Sequence, residues 1–209
     1  MHDKGAYERY IKRPQDFLCA LAAIVLLSPA ILVTAALVCK RLGRPVLFVQ
    51  ERAGRGGKAF RLYKFRTMTD EHDRCGNLLP DAERLTPFGA WLRASSLDEL
   101  PELINILKGD MAVVGPRPLL VRYLNRYNPE QARRHEVRPG LTGLAQIHGR
   151  NNTSWEERLA WDVSYVNNVT FLGDWRIILS TFRTVLSREG TSPTSSVTME
   201  EFMGTEPRS

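Results

Sequence analysis

Asp98 and Glu99 stand side by side in the segment Arg93-Ala94-Ser95-Ser96-Leu97-Asp98-Glu99-Leu100-Pro101. A carboxylate pair can supply a nucleophile and a proton acceptor, and a helix N-terminus attracts anions. Ser96-x-x-Glu99 also matches a capping box, a structural use of the same residues. Pro101 complicates that cap, because its ring would oppose the backbone of Leu97. Either the helix start bends or the true cap lies later. On a regular helix the two acids would point about 100° apart; an irregular start lets them face one site.

Basic residues recur in loops around this pair: Lys64, Arg66, Arg93, Arg117, Arg138 and Arg150. Arginine on Gly- or Pro-framed loops suits planar recognition of phosphate, although singly each is an ordinary surface charge. The loop Ala53-Gly54-Arg55-Gly56-Gly57 invites comparison with a phosphate cradle. No Gly-Lys-Ser/Thr follows it and it opens no helix, so a plain turn is the better reading. Cys19, Cys39 and Cys75 fit neither a disulfide framework nor a zinc spacing, which points to a reducing compartment. His148 has no second His or Cys near it in sequence, which argues against a metal ligand.

The elements that must position these groups follow from periodicity and breakers. Val46 to Gln50 and Ala59 to Phe65 read as two strands of a β-hairpin. Residues 69–86 read as a loop, Pro87 to Ala94 as a short helix, and Ser96 to Lys108 as a clearer one. Met111 to Val114 is extended, Gly115-Pro116-Arg117-Pro118 is a rigid loop, and Pro139 to Gly143 is another loop. Leu119 to Tyr127 and Pro129 to His135 are helical pieces, and Ser154 to Asn167 is a helix opened by a capping box. Leu172 to Ser187 is a basic amphipathic helix that suits a membrane interface and a protein core equally.

Before all of these, Phe17 to Cys39 runs 23 residues without a charge. That length spans a bilayer core of roughly 30 Å. Ser28-Pro29 falls at its centre, where proline frees a carbonyl that a serine hydroxyl can satisfy. Lys12 and Arg13 precede the run, and Lys40, Arg41 and Arg44 follow it. Basic flanks mark the cytoplasmic side. Two basic flanks fit a helix that enters, breaks and returns; a single kinked span is the plainer alternative. The run is too long for a signal peptide's apolar core and no small-x-small site closes it. Net charge is +6, which suits an anionic partner: membrane surface, nucleic acid or phosphorylated substrate.

Five segments then occur in order: Lys64-Phe65-Arg66-Thr67-Met68, Ser96 to Pro101, Lys108-Gly109-Asp110-Met111, Val114 to Pro118, and Arg138-Pro139-Gly140-Leu141-Thr142-Gly143-Leu144-Ala145-Gln146. On these the chain resembles the bacterial sugar transferases, the monotopic phosphoglycosyl transferases of polyprenol-linked glycan assembly, in their short form. The resemblance covers nearly all of residues 10–188. It implies transfer of a sugar 1-phosphate from a UDP-sugar to a polyprenol phosphate, usually undecaprenyl phosphate, with release of UMP and ping-pong kinetics. By the same resemblance Asp98 is the nucleophile, forming a phosphosugar-aspartyl intermediate, and helps hold Mg²⁺, while Glu99 assists proton transfer. Lys64, Arg66, Arg93, Arg117, Arg138, Gln146 and Arg150 are its expected substrate and phosphate ligands. The family's re-entrant helix, broken at Ser-Pro, matches Ser28-Pro29. Many relatives carry asparagine where His148 stands. Asp162 and Asp174 match acidic positions of the family's later helices, with a salt-bridge role expected.

The expected architecture is α+β and mostly helical. It has an N-terminal re-entrant membrane helix within residues 1–44, and a β-hairpin and compact helical catalytic domain with interfacial amphipathic helices over 45–188. A loose tail covers 189–209. The expected location is the cytoplasmic face of the bacterial inner membrane; the expected partners are UDP-sugar, polyprenol phosphate and membrane lipid, with room for a homodimer. A membrane-attached glycosyltransferase that releases UDP is a competing reading. A non-enzymatic anchor for anionic polymer is another. The arginines lie dispersed in rigid loops, with no basic run interleaved with aromatics, so nucleic acid is not an expected partner.

Overall fold

The structure, a computed structural model, describes residues 5–148, 153–187 and 201–204. A π-helical turn, Tyr7–Ile11, leads into helix α1, Lys12–Leu42. Gly43 ends α1 at φ 77°, a left-handed conformation that costs glycine little. Pro29 lies inside the helix and withdraws the donor that the Val25 carbonyl would otherwise meet. The Ser28 hydroxyl donates to that carbonyl at 2.8 Å, as the sequence led us to expect.

Both halves of α1 join the core. Before Pro29, Ala20, Ala23 and Ile24 pack with Leu62, Leu103, Ile106 and Met111. Beyond it, Ile31, Ala35, Val38 and Leu42 pack with Phe65, Phe88, Leu92, Leu97 and Leu100. Between these contacts Val25, Leu26, Leu32 and Val33 are exposed, Leu26 by 78%. The helix is long and apolar enough to cross a membrane. At its start Lys12 meets Asp174 at 2.5 Å, Tyr7 and Tyr165 donate to the same carboxylate, and Asp16 accepts from the Val113 N–H. This buried network ties the first turn of α1 to the later part of the chain.

Strands β1, Leu47–Ala53, and β2, Ala59–Phe65, pair antiparallel, with Leu47 opposite Phe65 and Ala53 opposite Ala59. The glycine segment between them is a turn, with Gly56 and Gly57 at φ 64° and 73°. Short helix α2, Asp81–Arg84, interrupts the segment read as loop, and α3 spans Pro87–Ala94 with Thr86 as its N-cap. The helix expected over Ser96 to Lys108 is broken. Ser96 takes φ 55° and caps nothing, Leu97–Glu99 form a 3-10 turn, and α4 begins only at Glu102, just past Pro101. Proline is at ease at a helix start and opposed in its interior, so Pro101 moves the start to itself. The capping-box reading of Ser96 and Glu99 is thereby replaced by a bend.

α4, Glu102–Lys108, lies along β2: the Asn105 side-chain amide donates to the Arg61 carbonyl and its oxygen accepts from the Tyr63 N–H. β3, Ala112–Val114, pairs parallel with β4, Gly140–Thr142, a strand inside a segment read as loop. The intervening chain is a 3-10 segment, Val121–Arg126, helix α5, Pro129–Ala132, and a 3-10 turn, Arg133–Glu136. Helix α6, Leu144–His148, follows β4. Helix α7, Trp155–Asn167, opens with both bonds of the expected Ser154/Glu157 capping box.

α8, Phe171–Ser187, divides its apolar residues between two faces. Asp174, Ile177 and Ile178 are buried, while Leu172, Trp175, Leu179 and Phe182 form an exposed stripe at helical spacing. Inside the tail read as loose, Glu201–Gly204 are packed. Phe202 is 1% exposed among Tyr123, Tyr127, Trp155 and Leu159, and Glu201 meets Arg122 and Arg126. The architecture is thus mostly helical α+β, with a long N-terminal apolar helix and two small sheets.

Candidate active site

The bend at Ser96–Pro101 and the first residue of α4 set three carboxylates, Asp98, Glu99 and Glu102, beside two cations. Lys64, near the end of β2, places its ammonium 2.8 Å from Glu99 Oε1 and 3.0 Å from Glu102 Oε1. Arg117 donates to Glu99 Oε1 at 2.7 Å from the loop after β3. Asp98, beside them, is 8% exposed. No hydrogen bond among the described residues engages its carboxylate; the charges of Lys64, Arg117 and Arg93 reach it through space.

This arrangement separates acids that would be alike in water. Burial, then the neighbouring charge of Glu99, pushes Asp98 up to about 6. Burial also works to raise Glu99, but Arg117 and Lys64 overcome it and hold Glu99 at about 2, firmly ionised. Burial, then Glu99, pushes Glu102 up to about 7. Glu99 in turn stabilises the Arg117 guanidinium, raising its pKa.

The Arg117 loop is fixed from behind. Gly115, Gly140 and Gly143 bring two backbone segments together so closely that a Cβ on Gly140 would lie 2.1 Å from the Gly115 nitrogen. The Arg117 carbonyl accepts from Arg134 at 2.7 Å, and buried Arg134 pairs with buried Asp162 at 2.8 Å, the salt-bridge role expected of Asp162. The Asp174 pairing with Lys12 meets the same expectation. Arg93 approaches from α3, donating to the Thr67 hydroxyl at 3.1 Å.

Lys64, Arg93, Asp98, Glu99 and Arg117 are therefore brought together, and Arg66, Arg138 and Gln146 make other contacts. Arg66 is buried on the end of α1, donating to the Leu42 and Arg44 carbonyls and pairing with Asp70. Helix C-terminal carbonyls are unsatisfied acceptors and attract a guanidinium. Arg138 donates to the Gly109 carbonyl at the far end of α4. Gln146 donates to the Leu141 carbonyl. His148 stacks on Trp161 at 4.6 Å. Arg150 lies outside the described residues. Glu102 was not singled out in the sequence. Its signal was the Glu99-x-x-Glu102 spacing across Pro101, one helical turn.

No group of three or more His, Cys, Asp or Glu side chains among the described residues forms a ready metal-ligand set. Magnesium keeps several waters and needs only one or two carboxylates plus substrate phosphates. Asp98, with both oxygens unbonded, fits that sparing requirement.

Comparison with known proteins places the chain in a family. The profile of the bacterial sugar transferase family matches residues 7–188. An uncharacterized sugar transferase of Bacillus subtilis, EpsL, is 53% identical over 194 residues, covering 93% of this chain and 96% of its own. The exopolysaccharide production protein ExoY of Rhizobium meliloti is 39% identical over 86% of this chain and 87% of its own. The undecaprenyl-phosphate galactose phosphotransferase of Salmonella typhimurium is 37% identical over 87% of this chain, which spans only 42% of that longer relative. With the family profile covering most of its length, this chain belongs to the bacterial sugar transferase family, in a short form like EpsL.

Proposed function

We propose that this protein transfers a sugar 1-phosphate from a UDP-sugar to a polyprenol phosphate, releasing UMP, as a first membrane step of glycan assembly. The observation that carries the reading is Asp98: a buried carboxylate without hydrogen bonds, beside a Glu99 that Lys64 and Arg117 keep ionised. The names of relatives support the substrate class. One is an undecaprenyl-phosphate galactose phosphotransferase, and another an N-acetylgalactosaminephosphotransferase acting from UDP-N-acetylgalactosamine to undecaprenyl phosphate.

In the first half-reaction an Asp98 oxygen attacks the sugar-bearing phosphorus of the donor. The bond from that phosphorus to the bridging oxygen breaks, and UMP leaves with the electron pair. In the second half-reaction an oxygen of the lipid phosphate attacks the same phosphorus, and the Asp98 carboxylate is released. Lys64, Arg93 and Arg117 offset the phosphate charge that otherwise repels a carboxylate nucleophile. Asp98 would hold a magnesium ion, which would supply further neutralisation of the donor's phosphate charge. Glu99, kept ionised by Arg117 and Lys64, orients both cations and stands ready to assist proton transfer. Glu102, near 7, is better matched to take the last proton from the lipid phosphate.

We further propose that α1 enters and leaves the bilayer on the cytoplasmic face of the inner membrane. Residues on both sides of Pro29 pack against one body, which a straight span carries on one side only. The exposed stripe of α8 suits a membrane interface. The test is incubation with undecaprenyl phosphate and a panel of UDP-sugars. UMP release is expected, with labelled sugar phosphate attached to Asp98 when donor alone is present. Asp98→Asn is expected to abolish both; normal turnover by that variant would sink the covalent mechanism, and release of UDP would favour transfer of the sugar alone.

A further inference from the structure

The glycine turn and Arg138, left aside by the carboxylate cluster, meet elsewhere. They line a cleft of about 670 Å³ between the tip of the hairpin, the end of α4 and the turn at residues 135–138. That volume lies in the range of small-ligand sites. The cleft is separate from Asp98. Phe60, in its wall, is four residues along β2 from Lys64, or ~14 Å at strand spacing.

Its lining has two chemical signatures. The first is a cationic excess: Arg55, Lys58 and Arg138 face it against the carboxylates of Asp110 and Glu136, and none of the three cations makes an ion pair among the described residues. Arg138 is half-buried, and burial and then the charges of Arg55 and Arg13 depress its pKa, as for a cation facing cations. The second is a pair of unmet acceptors. The Nδ1 of His135 donates to the Gly54 carbonyl at 3.2 Å, so Nε2 is left as an acceptor; it is buried and unpartnered. Burial, then the Arg134 charge, lowers His135 to about 4 and keeps that ring neutral. The Oε2 of Glu136 is likewise buried without a partner.

Cations ask for phosphate; orphaned acceptors ask for hydroxyls. We propose that this cleft is a second anion site for a phosphate ester carrying free hydroxyls, distinct from the transfer site and independent of the transfer reaction. The cleft opens beside the start of the apolar run. Its wall residue Gly109 would bring a Cβ within 3.2 Å of Arg13, which donates to the Ile106 and Leu107 carbonyls and lies over the Phe17 ring. A phospholipid head group and a soluble sugar or glycerol phosphate share the required chemistry.

The experiment uses the full chain in neutral detergent and follows its melting temperature. One arm titrates glycerol 1-phosphate, the other phosphatidylglycerol in mixed micelles, with phosphatidylcholine as control. A rise in at least one arm is expected, none with phosphatidylcholine, and a weaker response to inorganic phosphate than to its glycerol ester. A rise in the micelle arm alone assigns a lipid source, and a rise in the soluble arm a soluble one. Arg55→Gln with Lys58→Gln, and separately Arg138→Gln, should each weaken binding about tenfold. No rise in either arm, or rises unchanged by these variants, would overturn the proposal. Arg55 and Lys58 are exposed, so their replacement leaves the core intact. The double variant should still label at Asp98 with donor alone. Loss of that labelling would make the cleft part of the donor site and also defeat the proposal. Failure of the wild type to label would count against the transfer reading and leave the titration standing.

Discussion

The acid limb of the first half-reaction should report the field around Asp98. Its carboxyl stands at about 6 rather than the ordinary 3.8, a bias of about 3 kcal/mol towards the protonated form. Asp98 is then about nine-tenths ionised at pH 7 and about one-tenth at pH 5, so labelling should fall nearly tenfold per pH unit below 6. Burial is the larger cause and the Glu99 charge the second. Glu99→Gln removes that charge and frees Lys64 and Arg117 to act on Asp98. A unit charge ~6 Å away at an effective dielectric of ~20 is worth about 3 kcal/mol, or about two pH units. The midpoint in Glu99→Gln should therefore move down by about one unit or more, whatever happens to the plateau rate. Lys64→Met should move it up. The assay is acid-quenched single-turnover labelling with donor alone, from pH 4.5 to 8. A midpoint that stays put in Glu99→Gln, or shifts in the same direction in both variants, would refute this account of the site.

Three further outcomes are expected. Arg117 is half-exposed on a loop fixed through its backbone, so Arg117→Ala should cut turnover while barely changing the melting temperature, and Arg117→Lys should restore only part of the rate; a large thermal loss with intact specific activity would make the residue structural. Phe202→Ala should destabilise the protein by roughly 3 kcal/mol, because a fully buried aromatic leaves a cavity; an unchanged unfolding curve would show that Glu201–Gly204 contribute nothing to the fold. Cysteines placed at Asp3 and at Arg44, in a chain lacking Cys19, Cys39 and Cys75, should both resist an impermeant thiol reagent in intact cells and both react after lysis. Labelling of the first in intact cells would establish a span in place of the re-entrant α1.

Local signals were read where they act alone. The Ser154/Glu157 capping box, the hairpin, and Ser28 beside Pro29 depend on neighbours in sequence, and all three appear as expected. Asp98, Glu99, Lys64 and Arg117 were legible because five short motifs occur in order, although only folding shows that they meet. What failed is non-local. Gly140–Thr142 has the composition of a loop and becomes a strand because Ala112–Val114 offers it a ladder. Arg66 was expected as a phosphate ligand, and only the fold shows its bonds to the carbonyls at the end of α1. Phe202 sits in a polar tail, and only the aromatic pocket of Tyr123, Tyr127 and Trp155 gives it a reason for order. Glu102 was hidden by Pro101, which begins a helix where periodicity placed its middle.

Ala20 and Val38 lie on opposite sides of Pro29, and each is 0% exposed within the core. The helix long and apolar enough to cross a membrane is thus also one wall of the enzyme. A chain in which α1 failed to dock would lack that wall, and would leave Leu103, Ile106 and Leu92 uncovered. Docking of α1 and closure of the core are then a single event, and cellular proteases can remove a chain that fails in it.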